Sequence, residues 1–458
     1  MTVASPRPRP ARQGLTDFTL PVQEADIEAI APIDGTADWL PDDRTSAFAA
    51  FEALPAESNV LYTTYVDLRT VQLQAARLSG SPRTEPVAVA LPDGTDGLVI
   101  IDEGDVAGVA LSGEAAAAGV EFTTIADLAR RHPRRVRDLL SGGSTLPGDD
   151  RFAQLTRALW AQGVVLDVPA GVRLTRPIIV RWGAGAPGRA LLSRTVIALG
   201  DGAQAIFLEE LVASAAASPD SAPSFLAGTL EVTLGRDARL EVASLQELPA
   251  TTVAFQHRHA VVGEGATLHW ALAQLGSRLV RSRVDNRLEG DRSSVEQVEI
   301  VFGGSDQLFD LTSYTRHTGR DTTGNLLSKA ALLDRARSFM KGMIVIDRSA
   351  VGTDSFLGEF GMNLSKATRS VAIPSLEIDQ PDCRRAAHAS SVGPIDESQL
   401  FYLESRGIPP DEARKIIVLG FLEPVVARVP LADARERLRG LLEGKWEAGV
   451  GVGVVAAA

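Results

Sequence analysis

The chain has 458 residues, 45% hydrophobic and 23% charged, proportions that are typical of soluble globular proteins. Its net charge of -12 disfavours a nucleic-acid binder, because phosphate backbones need a basic protein face. The single cysteine, Cys383, excludes an intramolecular disulfide, and a reducing cytoplasm is the simplest compartment for such a chain. Residues 1–14 are basic and rich in proline and lack the apolar core of a signal peptide, so we expect a disordered arm.

Residues 15–163 predict a mixed region in which helices are the clearest elements. The stretch TTIADLARRHPRRVRDLL, residues 123–140, begins with threonine, spaces its apolar residues near the helical period and carries arginines towards its end. This pattern predicts one surface helix. Asp150 precedes the segment RFAQLTRALWAQG as a predicted N-cap, and Gly163 is expected to lie past the end of that second helix.

Residues 164–389 form a succession of short strand-like runs separated by small turns. The turn segments resemble one another and recur about every 25–35 residues. They are PAGVRL, DGAQAIFL, RDARLEV, EGATLHW and EGDRSSVEQVEI. Recurring corners with an irregular period predict a solenoid of stacked strands. A β-sandwich also fits the strand count, whereas the scarcity of helical patterns disfavours an α/β sheet with crossover helices.

Residues 390–446 predict three short amphipathic helices. Asp396 with Gln399 three residues later is a capping-box-like start, and Gly407 is predicted to end that helix. The second helix opens after Pro409 and should end or kink at Pro424; the third follows in LADARERLRGLLEG. We expect the apolar faces of these helices to be covered by the end of the solenoid or by another protein, and residues 447–458 to form a flexible tail.

The sequence contains no recognisable catalytic constellation. A phosphate-binding loop, a nucleophile elbow and zinc-ligand spacings are absent from it, and no run approaches the length needed to span a bilayer. His257 and His259 alternate along one strand and could hold a metal with a third ligand, although histidines on a strand more often lie at the surface. His317 lies among hydroxyls and carboxylates that indicate either a site or a ladder of hydrogen-bonded turns. Cys383 and His388, five residues apart, do not face each other in a helix or a strand.

Several consecutive blocks of the chain carry a family resemblance. They are HASSVGPIDESQLFYLESRGIPPDEARKIIVLGFLEPVVARVP, DDRFAQLTRALWAQGVVLDVPAGV, DLTSYTRHTGRDTTGNLLSKAALLDRARSFMKGMIVIDRSAVGTD and NLSKATRSVAIPSLEI. Together they closely resemble the SufB/SufD family of iron–sulfur cluster assembly proteins over about residues 148–430. The resemblance implies a mostly β protein, with a right-handed parallel β-helix flanked by N- and C-terminal helical parts.

The resemblance also implies a function without catalysis by the chain itself. SufB and SufD pair through their β-helices, and each docks one subunit of the ATPase SufC on its C-terminal helices. The expected partners are therefore a SufB-like paralogue, or a second copy of the chain, and a SufC-like ATPase. The expected cargo is a transient iron–sulfur cluster at the interface. The alternative is a β-helix enzyme acting on polysaccharide, which would need paired carboxylates about 5–9.5 Å apart on a coil face for hydrolysis.

Departures from the family pattern favour the SufD branch. The segment NLSKATRSVAIPSLEI lacks the cysteine that SufB-like proteins carry there, and Ala389 stands where SufB tends to carry a glutamate. The resemblance places the proposed ligand of the nascent cluster at His388, after the final coil and before the first C-terminal helix. A cysteine often precedes that histidine by two residues; here the position is Ala386, so Cys383 is displaced from the pattern.

The C-terminal helices carry more apolar surface than a thin helical layer buries internally. Four of their residues are therefore the expected contacts for the ATPase. They are Ile416, Ile417, Phe421 and Val425.

Overall fold

Two long sheets, formed by alternate strands, make up most of the protein. The computed structural model describes residues 17–79, 87–140, 146, 148–218, 222–429 and 432–453, with the side chains of 424, 425 and 449–453 excluded. The predicted arm at 1–14 and the residues after 453 lie outside the described part. The strands of the first sheet are β1 Arg77–Leu78, β4 Glu121–Thr124, β5 Gln162–Val168, β7 Arg189–Leu199, β9 Ser224–Leu234, β11 Thr252–Val262, β13 Leu279–Leu288, β15 Leu308–His317, β17 Arg337–Ile346 and β19 Arg369–Ile378.

The strands of the second sheet fill the places between these along the chain. They are β2 Gly97–Asp102, β3 Asp105–Leu111, β6 Ile178–Ala184, β8 Gln204–Ala213, β10 Arg239–Gln246, β12 Thr267–Gln274, β14 Ser294–Gly303, β16 Thr323–Leu332, β18 Asp354–Asn363 and β20 Arg385–Gly393. From β7 to β18 each strand pairs in parallel with the strands two positions before and after it. The chain therefore winds as a parallel β-solenoid, which confirms the predicted fold class and excludes the sandwich, whose strands run antiparallel.

The corners of the solenoid follow the repeating turn segments of the sequence. Six corners join an odd-numbered strand to the even-numbered strand that follows it, from β7–β8 to β17–β18. One residue in each of them adopts a left-handed conformation. These residues are glycine at 202, 265 and 352, and Asp237 (φ 55°), Arg292 (φ 59°) and Asp321 (φ 54°). The backbone N–H of each of these residues donates to a carbonyl in the next corner over 2.7–2.8 Å. Because aspartate tolerates this conformation better than most residues, the acidic or glycine corners of the sequence mark these turns.

The interior of the solenoid is mainly apolar and is closed at its N-terminal end. Large side chains such as Trp182, Phe207 and Trp270 fill the space between the sheets. At the N-terminal end, β4 pairs antiparallel with β5, while the β2–β3 hairpin joins the second sheet through β6. Val99 and Phe122 from these strands complete the core. The N-terminal region therefore contributes strands as well as helices to the architecture.

The N-terminal helices are α1 Leu40–Ala53, α2 Gly113–Ala117, α3 Ile125–Arg131, α4 Pro133–Leu140 and α5 Arg151–Leu159, after a 3₁₀ turn at Glu24–Ile27. The single helix expected over residues 123–140 is in fact two helices, α3 and α4. Pro133 begins α4, since proline is tolerated in the first turn but not in a helix interior. Asp150 caps α5 as predicted, accepting from the N–H groups of Phe152 and Ala153. Gly163 lies past the end of α5, as expected, but the helix already ends at Leu159 and Gly163 lies within β5.

The C-terminal helices are α6 Glu397–Ser405, α7 Pro410–Val426 and α8 Ala432–Gly453. Asp396 caps α6 and Gly407 follows it with a φ of 86°, as the sequence predicted. Helix α7 continues past Pro424 to Val426, so this proline does not end the helix. The expected start of a tail at residue 447 falls within α8. Among the described residues, no helix is long and apolar enough to cross a membrane.

Candidate functional site at the open end of the solenoid

The C-terminal end of the solenoid lacks the covering that closes the other end. Strands β19 and β20 are the last members of their sheets, so each has a strand partner on one side only within the described part of the chain. Ile378 on β19 is 44% exposed and Val392 on β20 is 39% exposed. An apolar interior surface and two unpaired strand edges therefore face outward at this end. Unpaired edges of this kind invite the addition of another strand.

His388 lies within the last strand β20, rather than after the final coil as the sequence suggested. In the parallel register it stands opposite Leu357 of β18, which packs inside the solenoid with Leu326 and Ile344. Register partners in a parallel pair project to the same face of a sheet, so His388 occupies the interior row of the terminal coil. With no further coil among the described residues, its side chain is exposed. The structure thus presents this imidazole at the open end.

Glu359 is a buried carboxyl group one coil behind this surface. It lies on the same interior face of β18, two residues after Leu357, and is opposite Ser390 of β20. Burial raises the pKa of Glu359 to about 8, an effect that the Ile373 N–H, which donates to its Oε2 over 2.8 Å, only partly opposes. Gly342 on the facing strand leaves room for it, since a Cβ there would lie 2.8 Å from Glu359 Oε1. The isolated chain therefore holds an acid at this position that is mainly protonated at neutral pH.

Cys383 does not join His388 on the terminal strand. It lies before β20 begins at Arg385 and is partly buried. Within the described residues, no group of three or more histidine, cysteine, aspartate or glutamate side chains is arranged to hold a metal ion. On this evidence the open end offers the imidazole of His388 and the nearby carboxyl of Glu359. A complete ligand set would need groups from another chain.

The three other candidate histidines are buried in the body of the protein. His257 and His259 lie on β11 under the N-terminal helices, although histidines on a strand were expected at the surface. His257 Nε2 is 3.0 Å from Asp150 Oδ1, and burial lowers the pKa of His259 to about 3. They complete no metal site among the described residues.

The ring of His317 is held between two hydroxyl groups. Its Nδ1 lies 2.8 Å from Thr322 Oγ1, and its Nε2 lies 3.1 Å from Ser355 Oγ. Burial lowers the pKa of His317 to about 4. This arrangement is the ladder of hydrogen-bonded turns that the sequence offered as one of two interpretations.

A second candidate surface lies on the C-terminal helices. Phe401 and Tyr402 on α6 are 72% and 56% exposed, and Ile416 on α7 is also exposed. Ile417 and Phe421 are partly buried and, with Ile416, line a cavity of about 490 Å³ between α7 and strands β18 and β20. The side chain of Val425, the fourth predicted contact, lies outside the described residues. The patch borders the open end, because Ser391 and Gly393 line the same cavity.

The solenoid anchors α7 firmly beneath this patch. The Lys329 ammonium donates to the Phe421 carbonyl over 2.7 Å and lies 4.5 Å from the centre of its ring. Val418 and Leu422 on the opposite face of α7 are fully buried against the second sheet. Ile416 is therefore held on a fixed helix, with Val418 and Leu422 on the opposite face already buried.

The chain combines a parallel β-solenoid with a terminal coil that carries an exposed histidine, and it has a C-terminal helical layer. Its sequence matches the model of a known family. Residues 182–421, more than half of the chain, match the model of the SufBD core domain of the SUF system for iron–sulfur cluster assembly. The chain belongs to the SufBD family. It is 28% identical to the iron-sulfur cluster assembly protein SufD of Bacillus subtilis over 74% of this chain and 76% of that protein.

Two further relatives extend this similarity. An iron-sulfur cluster assembly SufBD family protein of Mycobacterium tuberculosis is 30% identical over 55% of this chain and 67% of its own length. One from Staphylococcus saprophyticus is 26% identical over 66% of this chain and 64% of its own length. The chain is thus a SufD-like homologue, as the sequence blocks predicted.

Sequence reasoning missed two features of these surfaces. Glu359 stands in an ordinary alternating strand, DSFLGEFGMN, where only the register reveals that the carboxyl group faces inward. The exposed pair Phe401 and Tyr402 was present in the sequence beside the predicted cap at Asp396. An aromatic pair early in an amphipathic helix normally indicates burial, and the structure shows that nothing in the described part of the chain covers it.

Proposed function

We propose that the chain acts as a SufD-type scaffold subunit of an iron–sulfur cluster assembly complex. It pairs through the open end of its solenoid with a SufB-like paralogue, or with a second copy of itself, and it docks a SufC-like ATPase on its C-terminal helices. The chain itself is not an enzyme, and ATP hydrolysis comes from the partner. The observation that carries the proposal is the uncovered terminal coil with His388 on it. Membership of the SufBD family favours this function over the polysaccharide-active enzyme.

The physical case for pairing rests on the two unpaired edges. A strand edge presents a row of backbone donors and acceptors that another strand can satisfy. Here two edges lie side by side, and exposed apolar residues such as Ile378 and Val392 stand between them. A partner solenoid with a similar end would cover the apolar surface and pair both edges at once.

The nascent cluster is the cargo of this interface, and His388 is the proposed contact from this chain. A neutral imidazole donates a lone pair to iron, and thiolates are the other common ligands of such clusters. Within the described residues no group of three or more histidine, cysteine, aspartate or glutamate side chains could hold a metal ion, and Cys383 is not on the terminal strand, so thiolates would come from the partner. An interface position suits this division, because each chain then contributes part of one site. The single cysteine supports a reducing compartment such as the cytoplasm.

The ATPase dock is proposed on the patch of α6 and α7. Protein interfaces rely on a few well-buried apolar and aromatic anchors, and Phe401, Tyr402 and Ile416 are the large apolar side chains exposed here. Ile417 and Phe421 line the adjoining cavity, into which a side chain of the partner can insert. Val425 remains part of the proposed dock on the sequence argument alone.

The ligand role of His388 is tested by the variant His388→Ala on the reconstituted complex. We expect unchanged complex assembly and melting temperature but a large loss of cluster absorbance, because His388 is exposed at the end of the solenoid. Cys383→Ser is the matched control and should have much less effect. Normal cluster yield from the His388 variant would end the ligand proposal, and lost assembly would indicate a structural role.

The dock is tested by point variants, because deleting the helices would also expose the solenoid surface that α7 and α8 cover. Phe401→Ser and Ile416→Ser should each weaken binding of the ATPase at least tenfold, the loss of one interface anchor. Arg414→Ser is the control, since this arginine is also exposed on α7. Circular dichroism should remain the same for all three. Retention of the ATPase by the double variant would place the dock elsewhere.

A further inference from the structure

A deep cavity lies between α8 and one row of solenoid corners, away from both surfaces described above. Its volume is about 620 Å³, which falls in the usual range of small-molecule sites. Four successive corners form one wall, at residues 247–250, 275–278, 302–307 and 333–335. Leu441, Lys445 and Ala448, which share one face of α8, form the opposite wall. The proposed pairing and docking functions do not use this space.

The floor of the cavity is apolar. It is lined by five large hydrophobic side chains, which are Leu248, Leu275, Phe302, Leu333 and Leu441. Four of them come from the ends of strands or corners and are fixed by the backbone ladder of the solenoid. The helix α8 is itself held by Leu438, Leu442 and Trp446, which are buried against the second sheet. The cavity is therefore a preformed space between two fixed elements.

Lys445 brings a positive charge into this apolar space. Its ammonium donates to the carbonyl oxygens of Leu275 and Phe302 and to Gln307 Oε1, the last over 3.0 Å. All three acceptors are neutral, and no carboxylate lies within 4.0 Å of the ammonium in the described part of the chain. Burial lowers the pKa of Lys445 to about 7. Neutral acceptors orient the ammonium, but they leave its charge uncompensated, so the cavity favours a negatively charged guest.

The charges at the rim do not cancel this preference. Asp306 lies 3.6 Å from Arg278, and Glu247 is paired with Arg437. Asp334 accepts the Ser305 N–H over 2.6 Å. Arg335 is exposed at the mouth of the cavity and makes no ion pair within the described residues. Two of the rim carboxylates are therefore paired, whereas Asp334 accepts only a backbone N–H from the described part of the chain. The remaining charges are this one carboxylate against two cations, Lys445 inside and Arg335 outside, so a net positive charge is left for a ligand.

We propose that this cavity binds a small amphipathic organic anion, with its apolar body on the leucine-lined floor and its anionic group between Lys445 and Arg335. A medium-chain carboxylate has this chemistry. The two cations stand at the inner and outer parts of one apolar space, which a ligand with a single charged end can satisfy. A polar or polyanionic ligand would leave the floor without contacts, and a cation would face Lys445.

The first test needs no variant. Isothermal titration calorimetry measures the binding of two probes, octanoate and 1-octanol, to the full chain. Octanoate should bind at one saturable site with a dissociation constant at or below about 1 mM, as its ten heavy atoms allow. The uncharged alcohol should bind at least tenfold more weakly. Equal affinity for the two probes, or no saturable octanoate binding, would overturn the proposal.

Two variants then locate the site. Arg335→Gln leaves the fold untouched, because the side chain is exposed, and should weaken octanoate binding roughly threefold, as expected for one exposed charge. Lys445→Met replaces the charged side chain with an apolar one that is a single atom shorter, and it should weaken octanoate binding at least tenfold. Lys415→Met on α7 removes a lysine that pairs with Glu447 instead and should change nothing. If neither Arg335→Gln nor Lys445→Met alters octanoate affinity while Lys415→Met does, the anion binds elsewhere and the proposal fails.

Discussion

The carboxyl group of Glu359 should make the stability of the isolated chain fall as the pH rises through the neutral range. In the unfolded chain this group has an ordinary pKa of 4.5, and burial raises it to about 8 in the folded protein. Between these values the unfolded state loses its proton while the folded state keeps it. The contribution of Glu359 to the free energy of unfolding is therefore complete below about pH 4.5, and it is lost progressively as the pH rises to about 8.

The size of this effect follows from the same two values. A separation of about 3.5 pKa units corresponds to roughly 5 kcal/mol, at 1.36 kcal/mol per unit. The variant Glu359→Gln cannot ionise, yet its side-chain oxygen can still accept from the Ile373 N–H. We therefore expect the stability of the variant relative to the parent protein to improve by about 1.4 kcal/mol per pH unit between pH 5 and pH 8.

Urea unfolding of both proteins at several pH values measures this difference. Glu377→Gln is the matched control, because Glu377 lies exposed on the neighbouring strand β19 and should give the same curve as the parent protein. Hydrogen exchange at the Ile373 amide adds a local measurement at the carboxyl group itself. A constant difference between Glu359→Gln and the parent from pH 5 to pH 8 would refute the reasoning.

Three further predictions concern the interior. Arg194 and Glu231 form a fully buried bidentate pair with two bonds of 2.8 Å. Arg194→Met should lower the free energy of unfolding by about 3–5 kcal/mol in urea unfolding, because it leaves a buried carboxylate without a partner. The double variant with Glu231→Met should lower it much less. His259, with a pKa lowered to about 3, should stay neutral in NMR titrations to pH 5, and its contribution to stability should be lost as the pH falls from about 6.5 towards 3. Gly342→Ala should destabilise the folded protein by about 1–3 kcal/mol, because a Cβ would lie 2.4 Å from a methyl group of Leu357. Thermal melting measures this loss, and an unchanged melting temperature would contradict the prediction.

Local signals in the sequence account for the elements that were predicted correctly. The caps at Asp150 and Asp396 act through the N–H groups two or three residues along the chain, so a short segment carries all the required information. The sequence did not indicate that Gly163 lies within a strand or that α7 continues past Pro424, and both features have the opposite origin. Gly163 continues into a strand because β5 pairs with β7, and α7 passes Pro424 while its apolar face stays packed against the solenoid. Tertiary pairing and packing outweighed the local preference in both cases.

The sequence by itself predicted a solenoid through its recurring corners, because left-handed turns favour glycine or tolerant polar residues such as Asp237 and Asp321, although a sandwich also fitted the strand count. It also carried the family blocks that point to cluster assembly. Only the tertiary structure decided that His388 and Glu359 share one interior face, and that Lys445 meets three acceptors on two corners from across the fold. These relations join residues about 30 to 170 positions apart. Their burial and charge depend on neighbours that no local pattern specifies, since the environment of a side chain is set by what packs around it.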